Sequence, residues 1–152
     1  MNKKEILNLL SKLNFPKDEF YVLSGASLVI RGIRDEAQDL DLCISKELFN
    51  QIKNTYSLTD DKKNECGFYH ISDSLEIVVD DKSKFNMEVA NPYNLEDLHS
   101  ILDFKRKRNK PKDQADISKI EEYLKNKYSS LICNVNLNRF FSLLFLLQIY
   151  IQ

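Results

Sequence analysis

The chain has 152 residues, with 22 basic side chains against 23 acidic ones and a formal net charge of −1. At roughly 150 residues per domain this predicts one compact unit, or one unit with a short appendage, and 43% hydrophobic with 30% charged residues excludes a wholly disordered chain. The near-zero charge excludes polyanion binding driven by bulk charge and leaves room only for local basic patches.

Residues 3 to 13 are the first predicted helix, because Ile6, Leu9, Leu10 and Leu13 recur at helical spacing, with Pro16 just past its end. Phe20 to Leu23 reads as a strand that stops at Ser24-Gly25, and Ala26 to Ile30 opens a short helix ending near Gly32. Leu40, Leu42 and Ile44 alternate with Asp39, Asp41 and Cys43, a strand pattern. Ser45 is placed to cap a helix from Lys46 to about Tyr56, and Ser57 to Glu65 is a polar loop. Gly67 to Ile71 and Ser74 to Asp80 are predicted strands joined through Ser72-Asp73, and Phe85 to Val89 is a further strand. Asn94 with Asp97 resembles a capping box for a helix through Leu95, Leu98, Ile101 and Leu102. A last helix starts near Pro111 and carries Ile117, Ile120 and Leu124 on one face. The order gives an α+β fold, a mixed, twisted β-sheet flanked by helices.

Two domain-level segments follow: residues 1–127 as the folded domain and 128–152 as an apolar C-terminal tail. Phe140 to Ile151 is apolar all round, yet as a helix it spans only about 18 Å, short of a bilayer. No membrane association is expected. The tail is read as buried in the core or in a partner, as a homo-oligomer contact or a surface for a regulatory protein, or as foreign to the natural domain.

Cys43, Cys66 and Cys133 are widely spaced and form no CxxC or Cys/His pair at zinc-like spacing. The N-terminus has lysines but no uninterrupted apolar stretch and no small-residue cleavage site. Free thiols without an export signal point to the cytoplasm. Ser24 has no histidine near it in sequence, which argues against a serine hydrolase. The basic run at 104 to 110 reads first as a solvated helix end that suits the helix dipole, and second as a contact for a nucleic acid or a triphosphate.

Asp39 and Asp41 are the most informative pair. On a strand they share one face, and two carboxylates about 5 Å apart repel by roughly 3 kcal/mol at an effective dielectric near 20. A bound cation or an arginine offsets such repulsion, and all-oxygen ligands favour Mg²⁺ or Mn²⁺. Glu76, opposite the apolar face of Leu75, Ile77 and Val79, is a candidate third carboxylate, with Asp80 and Glu88 also near strands. The Leu23-Ser24-Gly25-Ala26-Ser27 turn offers backbone N–H groups and small hydroxyls to a phosphate.

Leu23-Gly25-Ala26, then Asp39-Leu40-Asp41-Leu42 after about a dozen residues, resembles the signature of the DNA polymerase β-type nucleotidyltransferase superfamily. SGASLVIRGIRDEAQDLDL is most similar to its small, poorly characterised bacterial branch of minor nucleotidyltransferases, over roughly residues 5 to 125. The resemblance implies a nucleotidyltransferase-type core that moves a nucleoside monophosphate from an NTP to a hydroxyl with Mg²⁺, releasing pyrophosphate. The acceptor is a small molecule, an RNA such as tRNA, or a protein. The resemblance implies Asp39, Asp41 and Glu76 as catalytic metal ligands, and Ser24, Gly25, Ala26, Ser27, Arg34 and Lys105 as nucleotide contacts. Ala26 stands where the family pattern has a second Gly or Ser. The alternative reading is a degenerate nucleotide- or protein-binding module, or one half of a toxin–antitoxin-type pair.

Overall fold

The computed structural model describes residues 1–129. Helix α1 (Lys3–Leu13) leads into strand β1 (Phe20–Val22) and helix α2 (Ser24–Arg31). Strand β2 (Leu40–Ser45) and helix α3 (Lys46–Ile52) follow, then strands β3 (Tyr69–Ser72) and β4 (Leu75–Asp80). The short strands β5 (Met87–Glu88) and β6 (Leu95–Glu96) precede helix α4 (Leu98–Arg108), and residues 111–129 are helical, here α5. Together they make an α+β fold around one six-stranded mixed sheet in the order β3-β4-β2-β1-β6-β5. The apolar stretch expected at Phe140 to Ile151 lies outside the described residues, and among those no helix is long and apolar enough to cross a membrane.

Local chemistry explains the helix starts. Asn2 accepts the Glu5 N–H while Glu5 accepts the Asn2 N–H, a capping box ahead of α1. Ser45 accepts the Leu48 N–H at 3.0 Å and starts α3 as its sequence suggests. Gly32 closes α2 at φ 75, where a side chain would be strained.

Several boundaries differ from expectation; β3 starts at Tyr69 rather than Gly67, and the strand expected over Phe85 to Val89 is only Met87–Glu88. The strand expected to reach Leu23 ends at Val22, and α2 already begins at Ser24. Helix α3 stops at Ile52 rather than Tyr56, because Ser57 takes φ 51 and the Leu58 N–H returns to the Lys53 carbonyl at 2.8 Å. That turn places Leu58 in the core. The β3–β4 turn is Asp73-Ser74, one residue later than expected, since Ser72 still pairs with Leu75 across an irregular register. Asp97, not Asn94, caps α4 by accepting the Ser100 N–H at 2.9 Å. Leu95 instead pairs with Val22 of β1, which buries it in the core and makes this stretch a strand.

The register sets up the site. β2 runs antiparallel to β1 and parallel to β4, with Asp41 opposite Glu76 and Leu42 opposite Ile77. Leu40, Leu42, Ile44, Leu75 and Ile77 face the main core with Ile6 and Leu10 of α1. Helix α2 is buried on two sides: Ala26, Val29 and Ile30 join that core, while Leu28 joins a second cluster with Leu98, Ile101, Leu102 and Ile120. The second cluster docks α4 and α5 against α2, and so holds their polar ends beside the Ser24-Gly25 turn.

Candidate functional site

A cleft of about 240 Å³ opens at the start of α2. Ser24, Gly25, Arg34 and Ala37 line one side of it, Gln38, Asp39 and Asp41 the approach to β2. Lys105, Arg108, Lys112, Asp113 and Asp116 from α4 and α5 complete the wall. The volume is below the roughly 300 Å³ at which drug-sized pockets begin, so it suits a compact polar group rather than a whole nucleotide.

The turn itself carries an unusual backbone. Ser24, not Gly25, takes a positive φ, at 30°. Non-glycine residues held there are uncommon and gather at functional sites. A Cβ at Gly25 would lie 3.6 Å from Arg34 Nη1 and 3.8 Å from Ala37 Cβ, ordinary contact distances, so the guanidinium sits directly over this glycine. The Ser24 N–H is already engaged: it donates to Glu96 Oε2 at 2.7 Å.

Asp39 stands just ahead of β2 and Asp41 on it, and both face the cleft. Burial first, then the carboxylates of Asp39, Glu76 and Glu96, push the Asp41 carboxyl up to about 6. Four acids therefore bear on this end of the sheet. Glu76 is the register partner of Asp41 but does not line the cleft, and its Oε1 lies 3.6 Å from His70 Nδ1. Among the described residues no three His, Cys, Asp or Glu side chains come together as a metal-ligating group. Asp80 sits at the far end of β4, opposite Ser45, and Glu88 is engaged by Arg31 at 2.9 Å.

The opposite wall is a chain of ion pairs. Lys105 Nζ lies 2.9 Å from Asp116 Oδ2 and 3.4 Å from Asp113 Oδ1, with its side chain only 4% exposed. Asp116 also meets Arg34 Nη1 at 3.3 Å. Arg108 grips Asp113 with both Nε, at 2.9 Å, and Nη2, and this fork holds the Asp113 carboxyl well below the usual carboxylate range. The Arg108 guanidinium packs 5.0 Å from the centre of the Phe104 ring. Lys112 is exposed and has no partner among the described residues.

Of the residues singled out by sequence, Ser24, Gly25, Arg34, Asp39, Asp41 and Lys105 come together around the cleft. Ala26 and Ser27 do not: Ala26 is buried in the core, and the fully buried Ser27 donates its hydroxyl to the Ser24 carbonyl at 2.8 Å. The helical phase of α2 turns both away from the cleft. The sequence named Arg108 only as part of the basic run at 104 to 110, and passed over Lys112, Asp113, Asp116 and Glu96 as site residues. The basic run divides accordingly, with Arg106 outside on Glu121 at 2.7 Å and Lys105 and Arg108 turned inward.

Compared with known proteins, the chain matches no family model, no curated protein and no solved structure.

Proposed function

We propose that the chain is a Mg²⁺-dependent nucleotidyltransferase that moves a nucleoside monophosphate from an NTP to a hydroxyl acceptor. One observation carries the reading: a single small cleft is lined by the Asp39–Asp41 pair and by Arg34, Lys105, Arg108 and Lys112, the cations outnumbering the Asp113 and Asp116 carboxylates set among them. A polyphosphate with its divalent cation has that polarity. The cleft is sized for this end of a nucleotide, leaving the base outside.

The donor set fits a cation that arrives with its ligand. Mg²⁺ is commonly held by one or two carboxylates plus substrate phosphates and water, not by an all-protein cage. Asp39 and Asp41 supply two hard oxygen donors; burial first and then the neighbouring carboxylates raise the Asp41 pKa, and a bound cation would offset both. Bound there, Mg²⁺ would neutralise and polarise the phosphate oxygens. The side chains do the rest. Arg34, Lys105, Arg108 and Lys112 bind the polyphosphate and stabilise the charge of departing pyrophosphate. Glu76, on the same sheet face as Asp41, takes the proton of the attacking hydroxyl. Free thiols at Cys43 and Cys66 suit the cytoplasm, where this reading places the reaction.

A second reading, a nucleotide- or protein-binding module without turnover, is favoured by the position of Glu76 outside the cleft lining. Calorimetric titration with a non-hydrolysable NTP and Mg²⁺, comparing wild type with Asp41→Asn, decides between them. Binding that needs both the metal and Asp41 supports the transferase. Binding that survives joint replacement of Asp39 and Asp41 by alanine supports the module.

A further inference from the structure

Three large hydrophobic side chains stand exposed among the described residues: Val89, Phe104 and Tyr128. Val89 follows β5, which lies three places across the sheet from the β2 that carries Asp41, about 14 Å away. Tyr128 is more than three turns past Asp116 on α5, about 18 Å along the helix. Phe104 is different. It stands on α4 directly before Lys105 and one turn before Arg108, the two residues that α4 gives to the cleft. Side chains at i and i+4 are neighbours on a helix, and the Arg108 guanidinium carbon lies 5.0 Å from the centre of the Phe104 ring. Arg108 is itself fixed, since it grips the buried Asp113 with Nε and Nη2. One link therefore joins an exposed ring to the cleft wall, and Phe104 remains 53% exposed with Arg108 packed on it.

We propose, on the nucleotide reading above, that the Phe104 ring is the nucleobase subsite: with the polyphosphate on Arg34, Lys105 and Arg108, the base stacks on the ring. The cleft of about 240 Å³ holds the polyphosphate and leaves the nucleoside outside. A nucleoside that leaves the cleft past Arg108 reaches Phe104 next. Base and phenyl ring are both flat and largely apolar, and stacking removes from water a surface that α4 otherwise leaves wet. The ring carries no donor or acceptor, so it reads no base edge. Selection then follows stacking strength, purine above pyrimidine, with all four bases admitted. A ring that only braced Arg108 would act on phosphate and nucleotide alike, and the two roles part in experiment.

The test is calorimetry on the full chain with Mg²⁺, comparing a non-hydrolysable ATP analogue with inorganic tripolyphosphate in wild type, Phe104→Ala and Phe104→Trp. Phe104→Ala is expected to bind the analogue about tenfold more weakly and tripolyphosphate as wild type does, and Phe104→Trp to restore the analogue. NMR of the wild type is expected to show cross-peaks between the Phe104 ring protons and the base protons of the bound analogue. That measurement needs no variant to fold. Bound analogue without those cross-peaks overturns the inference, as does a folded Phe104→Ala with unchanged analogue affinity. Equal losses for analogue and tripolyphosphate overturn it too, leaving the ring as a brace for Arg108 and the nucleotide reading intact. Analogue binding that depends on Phe104 but on neither Mg²⁺ nor Asp41 supports the inference and removes the transferase reading. No binding of the analogue by the folded wild type removes both.

Discussion

Lys105 Nζ on α4 lies 2.9 Å from the Asp116 carboxylate on α5, with both side chains largely withdrawn from water. Each helix brings its charge to the contact by continuing its apolar face. Lys105 extends the buried stripe of Leu98, Ile101 and Leu102, and Asp116 and Asp113 lie one and two turns ahead of Ile120 on the buried face of α5. Buried charges persist only when paired, so the two stripes specify one docking register of α4 on α5. The same pairing fixes the direction of the cations that line the cleft.

Asp113→Ala tests that network. The variant leaves Lys105 with one carboxylate in place of two and strips Arg108 of its fork. An unfolding free energy lower by about 3–5 kcal/mol is expected in urea denaturation near neutral pH. The Asp113 pKa is depressed by Arg108, so its stabilisation is present above the ordinary value of 3.8 and is lost as pH falls below it. The gap between wild type and variant therefore narrows between about pH 5 and pH 2.

Asp41→Asn carries the opposite sign. An acid whose folded pKa is raised from 3.8 to about 6 resists ionisation in the folded state, so stability falls as pH rises through that window. Removing the charge is expected to stabilise the fold by about 1–3 kcal/mol at neutral pH, with no gain below about pH 4. Thermal unfolding of both proteins across pH reads this directly. A variant more stable than wild type that has lost Mg²⁺–nucleotide binding marks Asp41 as placed for a ligand at the cost of the fold.

Leu28→Ala separates the two clusters. Leu28 is fully buried and is the side chain that α2 gives to the packing against α4 and α5, whereas Val29 faces the main core. A cost of about 2–5 kcal/mol is expected. Hydrogen exchange is expected to quicken in α4 and α5 more than in β2 and β4, since the variant loosens only the second cluster.

What could be read in advance was local. Helix α1, the Ser45 cap and the alternation through β2 rest on neighbours in the chain, so spacing alone reveals them. The Asp39–Asp41 pair is of the same kind. Strand β6 is not: Leu95-Glu96 is a strand because Val22 pairs with it on one side and Met87-Glu88 of β5 on the other, and residues 94 to 97 otherwise look like a helix start. Glu96 was missed for that reason. The Lys105–Asp113–Asp116 contact did leave a signal, charged residues standing on apolar stripes, but neither stripe says which partner helix will meet it. Glu76 shows the converse: strand register puts it beside Asp41, yet the cleft lies toward α4 and α5.

Lys112 separates binding from folding. It lines the cleft, is exposed, and has no partner among the described residues, so Lys112→Gln leaves the thermal midpoint unchanged. Hydrogen bonds to charged groups contribute about 1.5–3 kcal/mol. Calorimetry with a non-hydrolysable NTP and Mg²⁺ is therefore expected to show affinity about tenfold weaker or more for the variant. The deficit shrinks as salt is raised, because an exposed cation on a polyphosphate is screened within about 10 Å at 0.1 M. Unchanged affinity at low salt would place the polyphosphate away from the α5 end of the wall, on Arg34 and Lys105 alone.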